Sequence, residues 1–307
     1  MKVLVTGGAG YKGVVLSRHL ADLGHDVTVY DNFMYGTDPV LSLVPRSNVS
    51  FVRKDIRDVT KKDVDGYDAV YHLAGLSGFP ACDASPSAAQ AINVDATITL
   101  ASLLEDDQIL VFASSGSIYG RPTRPAKEDD QPTELVSRYA KTKWESEKAI
   151  RALHGNHVIF RWATVFGISP RMRWELMPND FVRRAVQERV LVLYSSSQHQ
   201  MLIHIEDVAR VYAQVLDNPD AWLGETFNVG DESMNPSKLE MGELVASLTG
   251  CTLVDKSLFD PDRRDLIADF SKIRATGVRL EYTVEDGIRE LVKLYQFYRA
   301  VEPYRVI

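Results

Sequence analysis

Tyr139 and Lys143 stand four residues apart in the run Tyr139-Ala140-Lys141-Thr142-Lys143. If that run is helical, both side chains project from one face. A free phenol ionises near about pH 10 and is a poor base at neutrality. A neighbouring ammonium and a positively charged nicotinamide both favour the phenolate. Such a phenolate can remove a proton from a hydroxyl while hydride leaves the same carbon. Taken alone, the pair also fits an exposed stretch of charged helix.

A second group sits upstream. Ser114-Ser115-Gly116-Ser117-Ile118-Tyr119-Gly120 directly follows the apolar run Ile109 to Ala113. In an open α/β sheet, ligands bind outside the carboxyl ends of the strands. A serine hydroxyl there can hydrogen-bond a substrate oxygen and the phenol together.

The third group is Gly7-Gly8-Ala9-Gly10-Tyr11-Lys12-Gly13, after the strand-like Lys2 to Thr6 and before a helical pattern. Gly7 allows a tight turn. Gly10 lets backbone approach a pyrophosphate, and Gly13 lets helix and strand pack closely. Backbone N–H groups and the positive helix end then face the phosphates. Asp31 closes the next strand and would accept both ribose hydroxyls, which favours NAD over NADP. Lys12 runs against this, since a basic residue in the loop can partner an extra phosphate. Asp31-Asn32 by itself is also an ordinary turn pair.

The elements that must position these groups alternate in type. Val27 to Tyr30, Val49 to Arg53, Asp68 to Tyr71, Ile109 to Ala113 and Val158 to Phe160 read as buried strands. Helical patterns run from Tyr11 to Leu23, from an N-cap at Ser85-Pro86 to Glu105, and from Ser137 to Leu153. Strands alternating with helices predict an α/β, Rossmann, doubly wound parallel sheet covered on both faces. Beyond about residue 165 the pattern turns irregular, with short helices at Asn179 to Glu188 and Pro236 to Leu248. We expect an NAD-binding domain of residues 1–165 with 201–229. A smaller C-terminal substrate-binding domain would comprise 166–200 with 230–307.

Composition narrows the function classes. The 307 residues carry 35 Lys and Arg against 42 Asp and Glu, a net charge of −7. That balance gives no support to nucleic-acid or anionic-membrane binding. Cys82 and Cys251 are the two cysteines, without metal-ligand spacing, so no metal site and no disulfide are expected. A reducing compartment follows. With no signal-peptide h-region and no apolar run of membrane-spanning length, the expected location is the cytoplasm.

Taken in order, the glycine loop, Asp31, Leu73-Ala74-Gly75, Ser-Ser-x-x-x-Tyr-Gly and Tyr-x-x-x-Lys make the chain similar to one family. It resembles the extended short-chain dehydrogenases/reductases, which include nucleotide-sugar epimerases, dehydratases, decarboxylases and reductases. The resemblance covers nearly the whole chain. Arg161 to Arg173, Asn179-Asp180-Phe181 and Asp260 to Asp265 are further similar to a branch that includes GDP-heptose 4-dehydrogenases. The resemblance implies Ser115 as the triad hydroxyl, Tyr139 as the base and Lys143 as its partner. It implies that Asp55 and Ile56 bracket the adenine, and that Asn32, Leu73, Ala74, Gly75 and Ser114 line the cofactor site. It places Ser115, Ser117, Thr164, Asn179 and Arg264 on a nucleotide-diphosphate sugar, and implies a homodimer paired through two long helices.

Departures from the family pattern carry information. The 4,6-dehydratases hold an Asp-Glu pair just after the triad hydroxyl; Gly116 and Ser117 stand there in this chain. Gln200 replaces an arginine expected to contact phosphate, and Tyr11-Lys12 replaces an aromatic-Ile pair. His204 reads as a structural histidine at a buried strand end, and Asp207 as a helix-start acid. Cys82 reads as a small loop residue, the alternative being an acid aimed into the pocket. The expected function is an NAD-dependent nucleotide-sugar epimerase working through a transient 4-keto sugar. The alternative is a 4-dehydrogenase or ketoreductase with net oxidation or reduction; a redox-sensing NAD-binding regulator is a third class.

Overall fold

The computed structural model describes residues 1–132, 134–256 and 267–299. Short apolar runs form the strands of the central sheet. They are β1 (Lys2–Thr6), β2 (Asp26–Asp31), β3 (Val49–Arg53), β4 (Ala69–His72), β5 (Ile109–Ser115) and β6 (His157–Trp162). Later in the chain come β7 (Thr164–Phe166), β8 (Val190–Tyr194), β9 (Leu202–His204), β10 (Glu225–Val229) and β11 (Thr252–Lys256). The main sheet has seven strands in the order β10-β6-β5-β4-β1-β2-β3. Every pairing in it is parallel. Strand order reverses between β1 and β4, so the crevice beyond Thr6 and His72 is the natural ligand site of the fold.

Alternation along each strand sorts side chains onto two faces. Val3, Val5, Val29, Tyr71, Val111 and Phe160 join one core cluster. Leu4, Tyr30, Val70, Leu110, Phe112 and Ile159 join the other. Helix α1 (Tyr11–Asp22) covers the first face together with α8 (Ile205–Asp217). The second is covered by α5 (Ala96–Leu103) and α6 (Arg138–Leu153). A parallel sheet covered on both sides needs these continuous apolar strands, because neither face meets water.

The expected helix from Ser85 to Glu105 is broken into pieces. After α2 (Lys61–Val64), a short α3 (Phe79–Ala84) is followed by α4 (Pro86–Gln90), one π turn at Ala91–Asp95, and then α5. The cause lies at Asn93. Its carbonyl accepts hydrogen bonds from Thr97 Oγ1 at 2.7 Å and Ser146 Oγ at 2.6 Å, which compete with the regular helix ladder. Its side chain is spent on the Leu76 backbone, as described below.

The remaining segments build a second, smaller layer. β7 pairs with β9 and β8 with β11, both parallel. Around them lie α7 (Met177–Gln187), α9 (Lys238–Thr249) and α11 (Val284–Phe297), with α10 (Ser271–Ala275) against β10. A capping box of Ser237 with Glu240 starts α9, and Gly250, at φ 65°, ends it in the left-handed conformation. The short-helix expectation for this half fails at α8 and α11, which run 13 and 14 residues. Both bury one apolar stripe, a pattern the turn-rich stretches around them had obscured.

Candidate active site

The glycine loop turns where it must. Gly7 lies at φ 70°, and a Cβ there would sit 2.6 Å from the Ala74 nitrogen. A Cβ on Gly13 would meet the Gly7 carbonyl oxygen at 2.1 Å. Only glycine fits at either position, and the chain between them starts α1. Asp31 ties this loop to the end of β2: its carboxylate accepts from Ala9 N–H at 3.1 Å and Phe33 N–H at 2.8 Å. Burial raises the Asp31 carboxyl above its ordinary value, partly offset by these backbone donors. This cradle has the shape and donor set for a dinucleotide pyrophosphate and a ribose diol.

A cavity of about 680 Å³ opens beyond the strand ends. That is a size suited to small-molecule ligands. Gly7, Gly10, Tyr11, Lys12, Gly13, Leu73, Gly75, Ser114, Ser115, Ser117, Tyr139, Lys143 and Thr164 all line it. Asp31, Asn32, Asp55, Ile56 and Ala74 do not; they sit near the loop but outside that lining. Asn32 Nδ2 donates to Asp55 at 3.0 Å, and Asp55 also takes a bidentate pair from Arg57, which holds its carboxyl well below the usual range.

Ser137 caps α6, accepting from Ala140 N–H at 3.1 Å, and so starts the helix at Arg138, one residue before Tyr139. Tyr139 and Lys143 then share a face, with Lys143 Nζ 5.9 Å from the tyrosine ring centroid and 4.6 Å from that of Phe112. Ser77 and Ser115 line the same cavity as the phenol. Among the protein's own groups, burial wins and the phenol is raised, although Ser77, Arg173 and Ser115 pull it down. Burial also lowers Lys143 to about 8, against the pull of Cys82 and Glu147.

Several residues fall elsewhere than expected. Asn179 is fully buried and does not reach the cavity. Its Oδ1 accepts from Gly167 N–H at 3.1 Å and its Nδ2 donates to the Arg173 carbonyl at 2.9 Å, so it clamps a loop. The Tyr11 hydroxyl donates to the Gly167 carbonyl at 2.8 Å, joining α1 to the same loop. The Ser114 hydroxyl turns away from the cavity to the Glu147 carboxylate. Thr164 accepts from Gln200 within the cavity wall. Lys12 does not face Asp31. Its ammonium lies 5.8 Å from the Trp162 ring centroid, and burial with the charges of Lys143 and Arg173 lowers it to about 7. It therefore belongs to the Tyr139 end of the cavity, away from any 2′-phosphate. Arg264 lies outside the described residues.

Cys82 is on α3, not in a loop, and is buried outside the cavity lining. His204 is fully buried, stacked 4.1 Å from the Tyr282 ring, which fits a structural histidine. Two groups escaped the sequence reading. Asn93 Nδ2 donates to the Leu76 carbonyl at 3.0 Å while its Oδ1 accepts from Leu76 N–H at 2.8 Å, fixing the turn after β4. Behind α6, Glu147 and Arg161 form an ion pair at 2.8 Å with side chains 0% and 1% exposed. Arg161 also donates to the Tyr119 hydroxyl at 2.7 Å. Long separations in sequence hid both arrangements. No cluster of potential metal ligands occurs among the described residues. No helix among them is long and apolar enough to cross a membrane.

Residues 3–230 match the NAD dependent epimerase/dehydratase family. The chain belongs to that family. A UDP-glucose epimerase of Bacillus subtilis, itself uncharacterised, is 28% identical over 96% of this chain and 99% of its own length. A putative UDP-glucose 4-epimerase of Methanocaldococcus jannaschii is 25% identical, covering 94% and 97%. The structure of Thermus thermophilus UDP-glucose 4-epimerase in complex with NAD superposes with a TM-score of 0.83 at 25% identity, covering 97% of this chain and 99% of that one. Family membership accounts for the loop after β1: the NAD these enzymes depend on is the ligand that the Gly7–Gly13 cradle fits.

Proposed function

We propose that the chain is an NAD-dependent nucleotide-sugar epimerase that acts through a transient 4-keto sugar. Tyr139 is the general base, Ser115 the hydroxyl that holds the reacting oxygen, and Lys143 the cation beside the base. The observation that carries this reading is the convergence of all three on one cavity together with the glycine cradle. When bound, the dinucleotide supplies the hydride acceptor and a positive charge near the phenol.

The chain's own residues do the rest. Ser115 orients the sugar hydroxyl toward Tyr139. Lys143, with no ion pair to an acid among the described residues, favours the phenolate. Tyr139 accepts the hydroxyl proton and returns it after the ketosugar has turned over. Gly116 and Ser117 offer no acid to expel water. Among the described residues, the two carboxylates in the lining are engaged: Glu175 with Arg173, and Asp180 with Arg183 at 2.7 Å. That supports epimerisation over dehydration.

Thr164, with Ser117, would contact the sugar. The relatives named as UDP-glucose epimerases make a UDP-hexose the first substrate to try. We further place the enzyme in the cytoplasm as a homodimer paired through α6 and the α4–α5 segment; its mass in solution tests that assembly.

The test is incubation of the NAD-loaded protein with UDP-, GDP-, CDP- and dTDP-sugars, with the sugars analysed by mass and chromatography. An isomeric product of unchanged mass, without net NADH, is expected. A product lighter by two hydrogens with NADH accumulating would instead make the chain a 4-dehydrogenase.

A further inference from the structure

Lys12 is a misfit at its own position. It is the second residue of α1, where the helix dipole is positive and favours an acid over a cation. Among the described residues its ammonium has no ion pair and no hydrogen bond; it rests over the Trp162 ring, 5.8 Å from the centroid. That ring marks a place in the cavity. Trp162 ends β6 and stands in register with Ser115 at the end of β5. Its Nε1 donates to the Tyr212 hydroxyl at 2.8 Å, which fixes the ring. Lys12, Trp162, Ser115, Tyr139 and Lys143 all line the cavity. Lys12 therefore brings a positive charge to the end where the sugar hydroxyl is oxidised.

The neighbouring cations have other uses. Arg173 is paired with the Glu175 carboxylate. Lys143 stands beside the phenol, whose ionised form it balances. Lys12 is left without a counter-charge among the described residues, and burial with the charges of Lys143 and Arg173 lowers it to about 7. Of the anions the site would receive, the dinucleotide pyrophosphate is met by backbone N–H groups of the glycine cradle. The lysine stem leads away from those groups toward β6. The substrate's own diphosphate hangs on C1, across the sugar ring from C4. An anionic group on C5, next to C4, would reach the ammonium without moving the C4 hydroxyl from Ser115 and Tyr139. In a hexose C5 carries a neutral hydroxymethyl group; in a hexuronate it carries a carboxylate.

We propose that Lys12 is a specificity residue that pairs with this carboxylate, so that the substrate is a nucleotide-linked sugar acid. This rests on the reading of the chain as an epimerase acting at C4 with Tyr139 as the base. A charge-assisted hydrogen bond is stronger than a neutral one, and stronger again away from bulk water. A neutral hexose would bury the ammonium and give it nothing in return, which costs binding. The unfavourable placement at the start of α1 is then explained by the ligand: the cation opposes the helix dipole in the empty protein and is satisfied in the complex.

The test is calorimetric binding of UDP-glucuronate against UDP-glucose to NAD-loaded Tyr139→Phe protein, which should hold the sugar without turning it over. The acid is expected to bind about 10–100-fold more tightly. Lys12→Met in the same background should abolish the difference, and Lys12→Arg should keep most of it. Lys12→Met removes a cation from the positive end of α1, so the variant should fold at least as well as its parent. No preference for the acid, or a preference that survives Lys12→Met, would overturn the proposal. So would a Lys12→Met protein whose NAD affinity falls by the factor expected for the acid, since the ammonium would then serve the cofactor. Turnover in the wild-type protein is read separately. Tight, Lys12-dependent binding of the acid with no isomeric product would sink the epimerase reading and leave the acid site standing.

Discussion

At the scale of single residues, the chemistry concentrates on a phenol that burial makes a poor base. Cavity walls raise Tyr139, and only hydrogen bonds and cations bring it back. Removing the hydroxyl should therefore remove proton transfer: Tyr139→Phe is expected to lower kcat by about 10²–10⁴-fold with the fold intact. A steady-state assay on an accepted nucleotide sugar, with circular dichroism as the control, checks this. Asp31 acts at the other end of the cofactor. Asp31→Ser removes the charged acceptor for the ribose diol, worth about 1.5–3 kcal/mol, so NAD should bind roughly 10–100-fold more weakly. Calorimetric titration with NAD and NADP decides it. Equal weakening toward both would show that the carboxylate only braces the loop through Ala9 and Phe33.

At the scale of elements, two junctions hold the site. The first is the start of α1 against β1. Gly13→Ala places a methyl 2.1 Å from the Gly7 carbonyl oxygen, so loop or helix must move. Overpacking of this kind costs about 1–3 kcal/mol. Thermal unfolding should fall accordingly, and NAD binding should fall with it. The second junction joins α6, which carries the catalytic pair, to β6. Burial alone would raise the Glu147 carboxyl, but hydrogen bonds and charge from Arg161, helped by Arg151 and Ser114, hold it below its ordinary value. Glu147→Ala leaves Arg161 buried without its anion, at a cost of about 3–5 kcal/mol. Urea unfolding at neutral pH measures the loss. A change below about 1 kcal/mol would mean that Tyr119 and the Glu128 carbonyl suffice for the arginine.

At the scale of the whole molecule, buried neutral histidines set the response to acid. His72 lies between the Thr6 and Thr97 hydroxyls, each at 2.8 Å, and burial lowers it to about 3. Burial lowers His204 to about 4, with nearby carboxylates opposing. In the unfolded chain both titrate near about 6.5. Between these values the unfolded state binds more protons than the folded state. Stability therefore rises with pH across that window and is lost as pH falls from about 6.5 toward 4. By pH 5 each histidine should have cost about 2 kcal/mol. Urea midpoints measured from pH 7 to pH 5 test the slope, and a flat profile would contradict the neutral assignment. His72 ends β4 at the switch point itself, so the same loss should loosen the β1–β4 junction under the cavity first.

The sequence by itself determined the sheet, the cradle and the catalytic pair, because each depends on near neighbours. Continuous apolar runs specify buried parallel strands. Glycines at 7, 10 and 13 specify a loop that admits no side chain where it turns. Four-residue spacing on a capped helix specifies that Tyr139 and Lys143 face one way. What tertiary structure decided was the use of groups brought together from afar. Asn179 matched a ligand-binding position by pattern, yet the fold spends its amide on Gly167 and Arg173. Lys12 read as a possible phosphate partner beside Asp31, and the first turn of α1 aims it instead at Trp162 and the Tyr139 end. Ser77 and Arg173 are 96 positions apart, and only the fold brings them within hydrogen-bond reach. Spacing records which face a side chain takes on its own element; which partner then desolvates or binds it depends on how the layers close.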